Sequence, residues 1–263
     1  MNKEKILFMG INNKKTLILL GMEQGFRVIN FVTMEQILKR KFSGGIGPID
    51  CLETSNILAL TGGGLFPSFP QNKVIIWDEN SEQIKAEISL KQEIRNIKFK
   101  YEYLFIVTDN KIYVYSFFEN LTLKMIRNTI YNPKGIFETN SIDQPCYFAY
   151  LTSENIVKKE QKNGIIHIFN LTDNLYSIIS AHTSPIQCMK FNYKGNFFAT
   201  ASEKGTLIRI FETGKTVACR ELRRGLETTK IYSLDFDFFD SWLICISKTG
   251  TLHAWALKLN KKG

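Results

Sequence analysis

The chain has 263 residues, of which 44% are hydrophobic and 13% aromatic, and it carries a formal net charge of +9 with a pI near 9.2. This length and hydrophobic content predict one large domain over residues 1–263, and the aromatic content favours strands over helices. The charge favours anionic partners, either nucleic acid or an acidic membrane surface, unless the lysines are merely solvated. No apolar run is long enough to cross a membrane as a helix.

The N-terminus and the cysteines indicate the compartment. The first residues lead directly into a short strand-like run, without the hydrophobic segment of a signal peptide. The cysteines form no C-x-x-C pair, and three of them lie in apolar runs, as buried small hydrophobic residues do. They are Cys51, Cys146, Cys188, Cys219 and Cys245. The sequence therefore predicts a reducing, cytoplasmic environment.

One strand-like segment with an aromatic residue near its end recurs along the chain. Its copies are Gly25–Asn30, Lys73–Asp78, Lys111–Ser116, Gly164–Phe169, Thr206–Phe211 and Thr251–Trp255. From Trp77 to Trp255 the steps between these aromatic residues are about 38, 54, 42 and 44 residues, which is close to the period of β-propeller blades. The longest step contains a polar insertion at residues 154–162, which predicts an exposed loop.

Further strand-like segments precede each copy of the repeat. Ile186–Phe191 and Phe197–Ser202 precede one copy, and Ile231–Phe236 opens the next unit. Six such units fit into the chain, and because no single unit buries both of its faces, the units must stack radially. We therefore predict an all-β, WD-repeat-like β-propeller with six recognisable blades.

Motifs of enzymes and of metal sites are missing from the sequence. Gly62–Gly64 lacks the Lys-Ser/Thr that follows in a phosphate-binding loop, and it predicts a turn between strands. His167, His182 and His253 lie far apart, without cysteine or carboxylate companions at ligand spacing. No nucleophile elbow, RNP-type sequence or basic helix is present. The sequence predicts a non-enzymatic protein without a cofactor, a metal or a specific nucleic-acid partner.

The adjacent arginines of Arg223–Gly225 indicate the chemistry of the ligand. Successive side chains of a strand point to opposite faces, so neighbouring arginines do not easily share one ligand. A planar guanidinium binds phosphate through two parallel hydrogen bonds, which an ammonium does not offer. The pair therefore predicts two back-to-back anion sites.

Polar motifs follow one another in order around this pair. They are AHTSPI (181–186), TASEKGT (200–206), LRRG (222–225) and SKTGTLH (247–253). This set resembles the PROPPIN, or WIPI-like, family of β-propellers that bind polyphosphoinositides. The resemblance covers essentially the whole chain, because TGGGLFPSFPQNKVIIWD (61–78) and YNPKG (131–135) are similar to the shorter members of that family.

The resemblance implies one phosphoinositide site on each side of a single blade. The first site is implied to contain His182, Ser184, Ser202, Thr206 and Arg223. The second site is implied to contain Arg224, Thr228, Ser247, Thr251 and His253. Hydroxyl and imidazole groups donate to headgroup oxygens, and each guanidinium supplies charge. Judged one at a time, Ser184, Ser202 and Thr228 also fit turn-capping roles, and His182 also fits a structural role.

The resemblance further implies seven blades and a membrane-inserting loop that follows the strand carrying His253. The sequence ends at Gly263, which predicts that the loop, the last strand of the sixth blade and the seventh blade are missing and that the propeller is open. Membrane affinity is then expected to rest on headgroup contacts and on basic charge, at about 1 kcal/mol per Lys or Arg near the surface. Weaker membrane binding than that of a complete relative is the expected consequence.

The function implied by the resemblance is that of an adaptor in autophagy and protein transport. Such an adaptor is expected to bind phosphatidylinositol 3-phosphate and 3,5-bisphosphate as a peripheral protein on preautophagosomal, endosomal or vacuolar membranes. Its implied partners are autophagy proteins such as the bridge-like lipid-transfer protein. The alternative is a protein-interaction scaffold that has kept the propeller fold without effective membrane binding.

Overall fold

A computed structural model describes residues 4–152 and 164–257. Within these two ranges the regular elements are 23 β-strands, arranged in five four-stranded antiparallel sheets and one three-stranded sheet. The predicted all-β class and the six blade-like sheets are thereby confirmed. The polar insertion predicted at residues 154–162 lies outside the described residues.

The chain divides into two compact units, Met1–Gly135 and Ile136–Gly263, and the prediction of a single domain stays a prediction. The first unit holds three sheets, which are listed here by strand. Sheet I is β1 (Ile6–Ile11), β2 (Leu17–Met22), β3 (Gly25–Asn30) and β4 (Gln36–Arg40). Sheet II is β5 (Ile46–Cys51), β6 (Ile57–Gly62), β7 (Lys73–Asp78) and β8 (Gln83–Ser89). Sheet III is β9 (Ile94–Lys100), β10 (Tyr103–Thr108), β11 (Lys111–Ser116) and β12 (Thr122–Asn128).

The second unit holds the other three sheets. Sheet IV is β13 (Phe137–Thr139), β14 (Tyr147–Leu151), β15 (Ile165–Asn170) and β16 (Leu175–Ser180). Sheet V is β17 (Ile186–Phe191), β18 (Phe197–Ser202), β19 (Leu207–Glu212) and β20 (Ala218–Arg223). Sheet VI is β21 (Ile231–Phe236), β22 (Trp242–Ser247) and β23 (Leu252–Ala256). Consecutive strands pair with each other in every sheet, so each sheet is a meander.

The repeated sequence segment forms the third strand of each sheet. In β7 and β15 this strand is paired on both edges and covered on both faces, which explains the nearly continuous apolar sequences KVIIWD and IIHIFN. The fourth strands, such as β8, are largely exposed and alternate between polar and apolar residues. In the described part of the chain β23 pairs with β22 alone, and its residues are exposed or half-buried.

Within each unit, neighbouring sheets pack around apolar side chains. Sheets I and II enclose a cluster that includes Phe26 and Trp77. Sheets V and VI enclose a cluster with Ile208 and Cys245, and Leu222 of β20 packs against it. The side of sheet V that carries Ile208 and Leu222 therefore faces sheet VI.

Glycine is required at the end of β6 because other backbone segments approach it closely. A Cβ atom on Gly62 would lie 1.7 Å from the carbonyl oxygen of Phe69, and one on Gly63 would lie 2.5 Å from the Cα of Gly47. Gly62–Gly64 leads from β6 into the connection to β7, as predicted. The absence of side chains at Gly62 and Gly63 allows other backbone segments to approach closely.

Candidate functional site

Sheet V holds the side chain of Arg223 on the face turned away from sheet VI. In the pairing of β19 with β20, Arg223 lies opposite Leu207, one residue beyond the Ile208–Leu222 pair that packs toward sheet VI. Side chains alternate along a strand, so Arg223 and Leu222 project from opposite faces. The side chain of Arg223 is exposed and has no hydrogen-bonding or ionic partner within the described chain.

The polar residues proposed for the first site gather at the same end of sheet V. Ser202 ends β18 and is buried, whereas Ser184 and Thr206 are half-buried in the neighbouring turns. The amide of Glu203 donates to the carbonyl of Pro185 at 2.8 Å, which holds the turn with Ser184 beside the end of β18. The structure thus brings the hydroxyl groups of three predicted residues to the end of the sheet where Arg223 lies.

His182 differs from these residues because it is a buried, bonded side chain. The residue is 7% exposed, and Nε2 of its ring lies 2.9 Å from the hydroxyl of Thr200. Burial, together with the nearby charge of Arg209, lowers the pKa of His182 to about 4. The imidazole is therefore neutral near pH 7, and one of its two ring nitrogens is already engaged.

This burial predicts an acid-sensitive contribution to stability. Because the folded-state pKa of His182 lies below the ordinary 6.5, its contribution is present above pH 6.5 and is lost as the pH falls toward 4. Lowering the pH from 7 to 5 is expected to reduce the free energy of unfolding by about 2 kcal/mol more in the wild type than in His182→Asn. Urea unfolding of both proteins at both pH values measures this difference.

The comparison with His182→Asn removes the contribution of other titrating groups. Burial raises the pKa of Asp50 to about 6, and protonation of this carboxyl stabilises the folded state as the pH falls. This opposite effect is common to both proteins and cancels in the difference. Equal acid sensitivity of the two proteins would contradict the neutral, buried state of His182.

Arg224 lies just beyond β20 and directs its charge toward sheet VI. Its Nε donates to the carbonyl of Gly205 at 2.9 Å, and its Nη2 donates to the carbonyl of Glu227. Burial raises the pKa of the Cys245 thiol to about 11, and the charge of Arg224 opposes this rise. Cys245 faces His253 across β22 and β23, so the two neighbouring arginines act on different sides of sheet V.

A chain of hydroxyl groups connects the residues of the second site. The hydroxyl of the buried Ser247 lies 2.8 Å from that of Thr249 and 3.1 Å from that of Thr251. Thr251 also lies 3.2 Å from Nε2 of His253, whose ring stacks on Trp255 at 5.7 Å. Three of the predicted residues thus form one hydrogen-bonded network. Thr228 is not part of this network and is exposed on the loop at residues 224–229.

Three polar residues at these positions were not singled out by the sequence. Thr249 shares the hydroxyl network of the second site, and its place within SKTGTLH was the available signal. Thr200 bonds to His182, and Arg209 donates through Nη1 to the carbonyl of Ala181 at 2.6 Å. Thr200 opens the TASEKGT motif, but the motif does not indicate its bond to His182, and nothing in the sequence distinguishes Arg209 from ordinary strand residues. Both roles depend on neighbours that are distant in the sequence.

The described residues contain neither a metal-binding cluster nor a membrane-spanning helix. Across residues 4–152 and 164–257 there is no group of three or more His, Cys, Asp or Glu side chains able to hold a metal ion. The same ranges contain no helix that is long and apolar enough to cross a membrane.

The sheets and the polar clusters together define the class of protein. It is a WD-repeat-like β-propeller that carries two sets of hydroxyl, imidazole and guanidinium groups, one on each side of a single blade. The chain belongs to the PROPPIN family, whose family model matches residues 7–262. The resemblance stated from the sequence motifs is confirmed.

Individual relatives agree with this assignment. SVP1-like protein 2 of Pichia angusta is 33% identical over 259 residues, which cover 96% of this chain and 70% of that protein. Autophagy-related protein 18e of Arabidopsis thaliana is 31% identical, with 97% of this chain and 66% of that protein covered. The chain thus spans about two thirds of the length of these relatives.

Solved structures show the same fold. Kluyveromyces lactis Hsv2 superposes with a TM-score of 0.82 at 23% identity, over 98% of this chain and 76% of that chain. The structure described as a complex of KlAtg21 with the coiled-coil of AgAtg16 gives a TM-score of 0.83 at 20% identity, over 97% of this chain and 81% of that chain. At these identities the likeness establishes the fold.

Proposed function

We propose that this protein is a non-enzymatic adaptor that binds phosphatidylinositol 3-phosphate and phosphatidylinositol 3,5-bisphosphate on membranes and recruits autophagy proteins to them. It acts as a peripheral protein on cytosolic membrane faces, at preautophagosomal, endosomal or vacuolar membranes. Family membership and a relative named as autophagy-related support this proposal.

The observation that carries the proposal is the separation of the two arginines. Arg223 lies on one side of sheet V with Ser184, Ser202 and Thr206 near it. We propose that these groups form the first headgroup site. His182 supports this site through its buried hydrogen bond to Thr200 of β18. A guanidinium with no protein partner is suited to bind a phosphate group bidentately.

The second site is proposed to consist of Arg224, Ser247, Thr251 and His253, with Thr228 at its rim. Two of the five N–H groups of the Arg224 guanidinium donate to backbone carbonyls, which leaves three for a ligand. The hydroxyl network beside it offers both donors and acceptors to phosphate and inositol oxygens.

A protein partner is the second part of the proposal. A structural relative is described as a complex with a coiled-coil of Atg16, and we propose that this chain likewise recruits autophagy proteins. The bridge-like lipid-transfer protein is one candidate. In the alternative function, the protein is a scaffold that binds such partners but does not bind membranes effectively.

Flotation with lipid vesicles tests the proposal on the unmodified protein. Phosphatidylcholine vesicles that contain either 3-phosphorylated lipid are expected to carry the protein upward, whereas the same vesicles with unphosphorylated phosphatidylinositol are not. The bound fraction is expected to fall between low and physiological salt, because the contacts are between charges near the surface. Equal flotation with both kinds of vesicle would contradict phosphoinositide recognition, and no flotation with either would favour the scaffold.

A further inference from the structure

The loop at residues 224–229, between β20 and β21, is held rigidly but presents an apolar tip. The amide of Arg224 donates to the carbonyl of Thr206 at 2.9 Å, and the amide of Thr229 donates to the carbonyl of Lys204 at 3.1 Å. The side chain of Arg224 adds bonds to the carbonyls of Gly205 and Glu227. Leu226 at the tip of this loop is nonetheless 84% exposed.

The surroundings of Leu226 are strongly basic. Residues 223–230, which are the loop and its two flanking residues, and the two turns beside it, residues 203–206 and 247–251, together carry two acidic and five basic side chains, a net charge of +3. The acidic ones are Glu203 and Glu227, and the basic ones are Lys204, Arg223, Arg224, Lys230 and Lys248. The amide of Lys248 donates to the carbonyl of Lys230 at 2.8 Å, so the turn of sheet VI is tied to the end of this loop.

An exposed leucine by itself needs no explanation, because single apolar side chains are common on protein surfaces. Val217, in the turn between β19 and β20, is an example with 78% exposure. Leu226 differs in its position. Leu226 lies two residues after Arg224, with only Gly225 between them, and basic side chains are close to it, so a surface that supplies headgroups to both arginines also contacts the leucine.

We propose that Leu226 is a membrane-inserting side chain, placed between the two headgroup sites and directed into an anionic lipid bilayer. The inference rests on the proposed function and adds to it a direct contact with the apolar part of the membrane. An apolar side chain surrounded by Lys and Arg is suited to the boundary between headgroups and acyl chains. The cations bind the anionic headgroups, and the leucine inserts below them among the acyl chains.

Two readouts separate headgroup binding from insertion. Leu226→Ser is expected to bind soluble inositol 1,3-bisphosphate as the wild type does, because the arginines and hydroxyl groups are unchanged. Its affinity for vesicles of phosphatidylcholine, phosphatidylserine and phosphatidylinositol 3-phosphate is expected to fall roughly tenfold, since one exposed aliphatic side chain no longer leaves water. Val217→Ser, the matched control at the other end of β20, is expected to change neither value.

Tryptophan variants report insertion directly. Leu226→Trp is expected to show blue-shifted emission on vesicles and quenching by brominated lipids, beyond the signal of the wild-type tryptophans, whereas Val217→Trp is not. Wild-type vesicle affinity for Leu226→Ser together with an unquenched Leu226→Trp would overturn the proposal. If the wild-type protein does not bind inositol 1,3-bisphosphate, the proposed function is contradicted. Insertion is then tested separately with Leu226→Trp on phosphatidylserine vesicles, where quenching of the tryptophan supports insertion and the absence of quenching overturns the proposal.

Discussion

Replacing both Arg223 and Arg224 with threonine is expected to abolish phosphoinositide-dependent binding to vesicles. Each guanidinium is proposed to form charge-assisted hydrogen bonds with a phosphate, which contribute about 1.5–3 kcal/mol apiece. The loss of both sites therefore lowers affinity by roughly two orders of magnitude or more. Flotation at physiological salt, with phosphatidylinositol 3-phosphate present or absent, measures the loss.

A matched control distinguishes the loss of a site from the loss of charge. Lys194→Thr combined with Lys215→Thr removes the same two charges from exposed turns at the opposite end of sheet V, and this variant is expected to float like the wild type. Lipid-dependent flotation of the double arginine variant would contradict the proposed sites. Unchanged cellular localisation with retained protein partners would support the scaffold function instead.

The single substitutions test whether the sites are independent. Calorimetric titration with soluble headgroup is expected to give two sites per chain for the wild type, one for Arg223→Thr, one for Arg224→Thr and none for the double variant. Arg224 also fixes the loop through the carbonyls of Gly205 and Glu227. Thermal unfolding of the Arg224→Thr variant should therefore accompany its titration, whereas Arg223 has no such structural partner in the described residues.

Lys190→Met is expected to lower the free energy of unfolding by about 2–3 kcal/mol. The ammonium of Lys190 on β17 lies 3.1 Å from Oε1 of Glu138 on β13, and both side chains are mostly buried, at 24% and 19% exposure. Burial lowers the pKa of Lys190, but the charges of Glu138 and Asp235 outweigh it and the pKa is raised. Methionine removes the cation that contacts Glu138 on the first strand of sheet IV and that interacts with the charge of Asp235 on the first strand of sheet VI.

Urea unfolding measures this effect against two further variants. Lys194→Met, four residues along on an exposed turn, is expected to change stability by less than about 0.5 kcal/mol. Glu138→Gln combined with Lys190→Met is expected to recover part of the loss, because a buried charge no longer lacks its partner. A double variant less stable than Lys190→Met would contradict this account of the pair.

Much of the fold could be predicted from the sequence because the third strand of each sheet has a recurring sequence. Four of the six residues of β7 and three of the six residues of β11 are buried, so Lys73–Asp78 and Lys111–Ser116 are rich in apolar residues with an aromatic residue near the end, and both are strands with those bounds. Ile186–Phe191 and Ile231–Phe236 likewise match β17 and β21. Local residue choice is sufficient here, since these strands pair with their neighbours in sequence.

The site was less accessible to sequence reasoning. Alternation along a strand predicted that Arg223 and Arg224 lie on different sides, and the family resemblance implied which residues accompany each arginine, an assignment that stays a prediction. The burial of His182 against Thr200 depends on a partner 18 residues away, and the bond from Arg224 to Gly205 spans 19 residues. Such contacts follow from sheet register, which no local pattern specifies.

The sequence by itself determined the blade repeat, the family and the residue types at the two proposed sites, because the strand repeat and the motif order are properties of the chain. Only the tertiary structure decided which groups are available to a ligand. The side chain of Arg223 has no protein partner in the described chain, whereas the guanidinium of Arg224 donates two hydrogen bonds to backbone carbonyls. The tertiary structure also buries the imidazole of His182 in a neutral state and exposes Leu226. The physical reason is that exposure, charge and hydrogen bonding depend on neighbours that the packing of sheets V and VI brings together.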